Sequence, residues 1–315
     1  TEALATREMC VQAAEKLDRP GDAARFRHNA ATLRQMRGDL KEASRLYEEN
    51  TNTKGFDDLS NPDVIAASLH NLGSLALDQG NMKEARRLLN ESLKLKKKLV
   101  KIQKKKLDKK KIATTLHELG RLAHQQCDFV EALSFYQQSL QIDKEFQDED
   151  GIGSNQQQIG LIRQLRGDAE QAEQLFQSNL DNYRQRGSKA GIASTQLCLG
   201  RLARKKGQYN LAHELLEESL ASSESLGYQS MVAEITFQMG VLCQEQGQLD
   251  QASLHYEASR GIYQVLNDRL GAASCENKLG VIALYRDQLD LAEGMLKSAL
   301  AVFEAASDDV SMAAS

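Results

Sequence analysis

Apolar residues recur three and four positions apart along nearly the whole chain, the spacing of a helix with one buried face. The stretch Ser68–Leu95, SLHNLGSLALDQGNMKEARRLLNESLKL, sets the pattern: a small residue at Gly73, a second at Gly80 and an Ala at Ala85. The same skeleton returns at Gly120, Cys127, Ala132; Gly160, Gly167, Ala172; Gly200, Gly207, Ala212; Gly240, Gly247, Ala252; and Gly280, Asp287, Ala292. A weaker copy precedes them at Ala31, Gly38, Ala43. Steps between first anchors are 42, 47, 40, 40, 40 and 40 residues, a regularity that marks a repeat architecture.

Each unit predicts a helical hairpin. The first anchor is preceded by an apolar residue (Ala30, Leu72, Leu119, Ile159, Leu199, Met239, Leu279). A second apolar residue follows two positions on (Leu33, Leu75, Leu122, Ile162, Leu202, Leu242, Ile282), so a small residue sits on the buried face where another helix approaches. The second anchor, usually Gly, ends the first helix in the left-handed conformation. Asp39, Asn81, Asp128 and Asp168 follow it as N-caps of a second helix. The Ala column lies early in that helix. One turn later comes Tyr47, Leu89, Tyr136, Phe176, Leu216, Tyr256 or Leu296, on the same face. One hairpin cannot cover its own apolar face, so stacking on its neighbour buries it. The fold class is all-α, an array of antiparallel helical hairpins.

These residues resemble the tetratricopeptide repeat family, whose pattern has Leu-Gly in the first helix, Gly at the turn, Ala early in the second and an aromatic a turn later. The resemblance covers about seven units, Ala24 to about Leu300, and implies a right-handed superhelical solenoid with a concave groove lined by the first helices. Two features depart from the family. No unit carries its closing Pro, and the 40-residue period exceeds the usual ~34, so both helices are expected to be longer by up to a turn. The long form looks like the repeats of kinesin light chains and of the sensor arms of bacterial STAND-type signalling ATPases.

Repeats are placed at 24–65, 66–112, 113–152, 153–192, 193–232, 233–272 and 273–308. Residues 1–23 read as part of a preceding repeat, with a turn over Asp18–Asp22, and 309–315 as the start of another. Asn50 to Pro62 reads as a polar loop. With both ends inside a unit, the chain is expected to be a piece of a longer polypeptide, whose cut ends could self-associate.

Composition narrows the class. A net charge of −4 selects no acidic or basic partner for the whole molecule, and Trp is absent, leaving Leu, Ala and Ile to fill the interior. Prolines occur only at Pro20 and Pro62. No apolar run is long enough for a transmembrane helix, and no leader-like segment opens the chain. Cys10, Cys127, Cys198, Cys243 and Cys275 form no CxxC pair, which suits free thiols in a reducing, cytoplasmic setting.

The 47-residue step holds eleven lysines between Lys94 and Lys111. Its seven extra residues are about two helical turns, one for each helix of an extended basic hairpin over 94–111. Lys101, Lys104, Lys105, Lys106, Lys109 and Lys110 are its candidate contacts for nucleic acid, an anionic membrane or an acidic protein segment. No aromatic or Arg interleaves them, which disfavours base stacking and bidentate phosphate binding. A solvated, solubilising tip is the favoured reading.

The chain carries few motifs for chemistry. His117-Glu118 and His213-Glu214 begin like HExxH, but Arg121 and Glu217 stand at the second His position. No phosphate loop, dinucleotide fingerprint or GxSxG is present, and no cofactor is implied. A binding surface remains. Three columns vary where the packing columns do not: His28, His70, His117, Gln157, Leu197, Phe237, Asn277; Thr32, Ser74, Arg121, Leu161, Arg201, Val241, Val281; and Gln35, Leu77, His124, Gln164, Arg204, Gln244, Leu284. His28, Gln35, His70, Asn71, His117, Arg121, His124, Gln157, Gln164, Arg201, Arg204 and Asn277 are the candidate groove contacts. The aligned histidines read as hydrogen bonders, because helices ~10 Å apart cannot bring several imidazoles within ~2.1 Å of one ion. Arg121, Arg201 and Arg204 could together hold a carboxylate or phosphate, or be ordinary surface charge neutralised by Glu118 and other neighbours. The expected function is a protein- or peptide-binding scaffold or sensor arm, not an enzyme. The alternatives are a regulatory region of an effector ATPase or protease, and an adaptor acting through the lysine hairpin.

Overall fold

The computed structural model describes residues 2–51, 61–103 and 106–314. Among them are fifteen helices: α1 Glu2–Lys16, α2 Pro20–Met36, α3 Leu40–Thr51, α4 Pro62–Asp78, α5 Met82–Gln103, α6 Lys106–Gln125, α7 Phe129–Phe146, α8 Glu149–Leu165, α9 Ala169–Arg186, α10 Lys189–Lys205, α11 Tyr209–Ser225, α12 Gln229–Glu245, α13 Leu249–Val265, α14 Arg269–Tyr285 and α15 Leu289–Ala314. They fall into two compact units, one up to Gly151 and one from Ile152 to Asp308. In the first, α4 packs on α5 and α6 on α7, while α3 meets α4 and α5 meets α6. In the second, α10 packs on α11 and α12 on α13, with α9 against α10, α11 against α12 and α13 against α14.

The small first anchors mark where paired helices touch. A Cβ added at Gly160 would lie 2.5 Å from the Phe176 ring, and one at Gly120 would lie 2.7 Å from Tyr136. The residue four beyond the Ala column therefore lies flat on the partner helix. Tyr47, Leu89, Tyr136, Phe176, Leu216 and Tyr256 are fully buried there, each contributing roughly 1.5–3 kcal/mol of transfer free energy. The second anchors all adopt positive φ, from 57° at Asp287 to 91° at Gly167, and Cys127 does so at 59°.

A second column joins the helices of a hairpin. Seven residues past the column Ala, Ser92 Oγ donates to the Ala66 carbonyl, Ser139 to Ala113, Ser219 to Ala193 and Ser259 to Ala233, at 2.7–2.8 Å. Asn50 and Asn179 do the same through Nδ2 to Ala24 and Gly153. Each bond fastens the second helix to the first where an Ala or Gly lets the chains approach.

Several local expectations are corrected. Asp39, Asn81 and Asp128 accept from the backbone N–H three residues on, but Asp168 makes no such cap. Asn50 and Thr51 belong to α3 rather than a loop, because the Asn50 side chain is committed to the hairpin bond. Residues 52–60 of that expected loop lie outside the described residues, and Pro62 is the first residue of α4. The first helices α8, α10, α12 and α14 start four residues before 153, 193, 233 and 273, so the repeat phase chosen from the anchors falls one turn inside each helix. Helix α15 runs unbroken through 309–314, where the period places a new unit. Ser307 there stands at the position that Gly187, Gly227 and Asn267 fill with positive φ.

Candidate partner-binding site

Contacts that skip a helix join first helices: α2 to α4 and α4 to α6 in the first unit, α10 to α12 in the second. Within each unit the first helices thus lie side by side, and the candidate residues are carried on them.

In the first unit these residues converge on the tyrosine column. His28 lies 5.3 Å from the Tyr47 ring and its Nδ1 is 3.0 Å from Ser68 Oγ; burial holds it below the usual imidazole range. The Tyr47 hydroxyl is bonded to Thr32 Oγ1 at 3.0 Å, to Gln35 Oε1 at 3.1 Å and to Asn71 Nδ2 at 2.8 Å. His117 meets the Tyr136 ring edge-on at 5.3 Å, and His124 meets Phe129 at 5.7 Å. His70 Nδ1 sits 3.4 Å from Thr115 Oγ1. Burial, then the charge of nearby Lys96, pushes His70 down to about 3. The aligned histidines are therefore packing and hydrogen-bonding partners of neighbouring side chains.

Each of the three arginines is paired within its own unit. Arg121, in the first unit, donates to Glu118 at 2.8 Å and to Asp78 of α4 at 2.9 Å. In the second unit, Arg201 lies 3.6 Å from Glu234 and Arg204 pairs with Glu245, both on α12. Each guanidinium already has a carboxylate from the adjacent first helix. Within each unit these pairs tie neighbouring first helices together.

Elsewhere in the second unit, Gln157 accepts from Ser194 Oγ at 3.3 Å and donates to Cys198 Sγ at 3.3 Å. Gln164 Nε2 and Arg204 Nε are buried without a hydrogen-bond partner, and Asn277 is half-buried on α14. Phe237 packs on Tyr256 at 5.4 Å, the place His28 and His117 take in their hairpins. A pocket of ≈ 500 Å³ opens between α12 and α14, lined by Val241, Gln244, Glu245, Lys278 and Tyr285.

The lysine segment is carried on long helices, α5 of 22 residues and α6 of 20, against 17 for α4, α8 and α10. Lys109 pairs with Glu145, Lys110 with Asp148 at 2.7 Å and Lys111 with Asp63 at 3.3 Å. Lys101 is exposed; Lys104 and Lys105 lie outside the described residues, and nothing is described of the Lys106 side chain. Lys96 departs from the solvated reading: it is buried, with Nζ donating to Thr115 Oγ1 at 2.7 Å. Burial, then the Lys111 charge, pushes it down to about 7. The equivalent positions of other hairpins are buried as well. Lys96 lies eleven residues past Ala85, and Asp143, Tyr183, Ser223 and Tyr263, at the same place in their hairpins, are all buried.

Comparison with known proteins agrees with this architecture. Tetratricopeptide repeat profiles match residues 64–145, 152–225, 231–305 and 24–49. No curated protein matches the chain by sequence. Among solved structures, aspartyl phosphate phosphatase F from Bacillus subtilis superposes with a TM-score of 0.70 at 10% identity, over 92% of this chain and 73% of that one. The Rap conjugation gene regulator of plasmid pLS20, in complex with the Phr* peptide, gives 0.70 at 15% identity over 93% and 77%. A STAND signal-transduction ATPase with a tetratricopeptide repeat sensor, from Pyrococcus horikoshii, gives 0.62 at 17% over 96% of this chain and 45% of its own. With matching repeats along most of its length, this chain belongs to the tetratricopeptide repeat family.

Proposed function

We propose that the chain is a recognition scaffold that takes an extended peptide or protein segment along its first helices, with no turnover chemistry of its own. The observation that carries this is the contrast between columns. The packing positions repeat from hairpin to hairpin, whereas the first-helix positions beside them change from His and Arg to Gln, Phe and Val. A uniform frame presenting a varied surface is what sequence-specific recognition needs. The pLS20 regulator with this fold was solved with a peptide, which supports an extended peptide as the ligand type. Asn71, Gln157, Asn277 and the half-buried histidines are the proposed contacts. The five free cysteines suit a reducing, cytoplasmic setting, and no helix among the described residues is long and apolar enough to cross a membrane.

The test is a peptide-display selection on the 315-residue chain, followed by affinity measurements on variants. Asn277→Ala, Gln157→Ala and Asn71→Ala should each weaken the selected peptide about fivefold or more, while Arg87→Ala on the exposed face of α5 should not. Unchanged affinity in all three first-helix variants would contradict the assignment. We further infer a sensor arm within a larger signalling protein, since the STAND protein carries a sensor of this fold in a chain that the present one spans by 45%. The adaptor reading through the lysine segment is less favoured, because Lys109, Lys110 and Lys111 are each neutralised by a carboxylate. Salt-sensitive binding abolished by Lys104→Glu, Lys105→Glu and Lys106→Glu would restore it.

A further inference from the structure

At the base of the lysine segment, α4, α5 and α6 enclose a pocket of ≈ 560 Å³, its polar lining made by Asp63, His70, Lys96, Lys110, Lys111 and Thr114. Lys96 is 6% exposed and its Nζ is bonded to one neutral group, the Thr115 hydroxyl. Among the described residues no carboxylate pairs with it; the nearby Asp63 is engaged by Lys111. A buried amine with no counter-ion beside another cation is favoured in its neutral, nucleophilic form, and a desolvated lysine in such surroundings suits covalent chemistry with carbonyl compounds. From α4 the amine is faced by Asp63 and His70, and from α6 by Lys110 and Lys111. His70 is held neutral by burial, and the two lysines at the mouth are each paired, Lys110 with Asp148 and Lys111 with Asp63.

We propose that Lys96 is a covalent binding site, forming an imine with a small aldehyde or ketone. The Nζ lone pair forms the bond to the carbonyl carbon. The carbonyl oxygen then leaves as water with the two amine protons, and a C=N bond remains. Nothing is oxidised or reduced, and water reverses the step.

Pyridoxal 5′-phosphate is a suitable probe. The full chain is incubated with a limiting amount at pH 7, trapped with borohydride and mapped by peptide mass spectrometry. Adduct at Lys96 should exceed that at exposed Lys97 and Lys98 by about tenfold or more. Labelling of Lys96 should rise with pH around 7. Lys96→Met and Lys96→Arg should each remove this adduct with the helical signal intact. Should Lys96→Met fail to fold, the wild-type map decides alone. Labelling of Lys97 and Lys98 equal to or above Lys96 overturns the proposal.

Discussion

His70 and Lys96 are buried bases whose folded forms resist protonation, and this gives stability a sign with pH. His70 titrates at about 3 in the folded chain, against 6.5 for a free imidazole. As pH falls from 6.5 toward 3, the unfolded chain takes up a proton that the folded one refuses, so stability is lost across that window. Lys96, at about 7 instead of 10.5, makes stability rise with pH between those values. We expect His70→Asn to flatten the acid side of the melting profile relative to wild type, and Lys96→Met to flatten the neutral-to-alkaline side. Variants whose profiles run parallel to wild type would contradict these burial assignments. At a packing contact, Gly120→Ala places a methyl against the Tyr136 ring and should cost about 1–3 kcal/mol in urea unfolding. That contact was legible in the sequence from the small anchor column. The carboxylate partners of Arg121, Arg201 and Arg204 were not, because Asp78, Glu234 and Glu245 lie on other helices and vary in type from repeat to repeat.

The helical hairpin and its turns were the most legible elements, since small, apolar and turn residues return in register. The serine and asparagine bond between paired helices escaped notice because polar residues there look like ordinary surface positions until the partner carbonyl is known. Ser92→Ala should cost about 1 kcal/mol, measured by chemical denaturation; an unchanged midpoint would mean the bond adds nothing net. The turn supplies a prediction of opposite sign. Cys127 holds φ 59°, which is strained for a residue with a Cβ, so Cys127→Gly should stabilise by about 1 kcal/mol. A lower melting temperature for Cys127→Gly would contradict the turn assignment. The unbroken course of α15 was also not legible, because the 40-residue alignment counts matching residues while a turn depends on one residue with positive φ.

Each unit of the molecule is a stack in which a hairpin touches its neighbours, so a local defect should stay local. Under hydrogen exchange, Gly120→Ala should lower protection in α5, α6 and α7 and leave α12 and α13 unchanged; uniform loss would mean the chain unfolds as one cooperative body. Function at this scale rests on the first helices as the recognition face. The most direct test places a photo-crosslinking residue singly at Asn71, His124 and Gln244 on first helices, and at Arg87 and Glu217 on exposed second-helix positions. After irradiation with the display-selected peptide, adducts are predicted at the first-helix positions and not at Arg87 or Glu217. Adducts confined to Arg87 and Glu217, or spread equally over both sets, would contradict the recognition face.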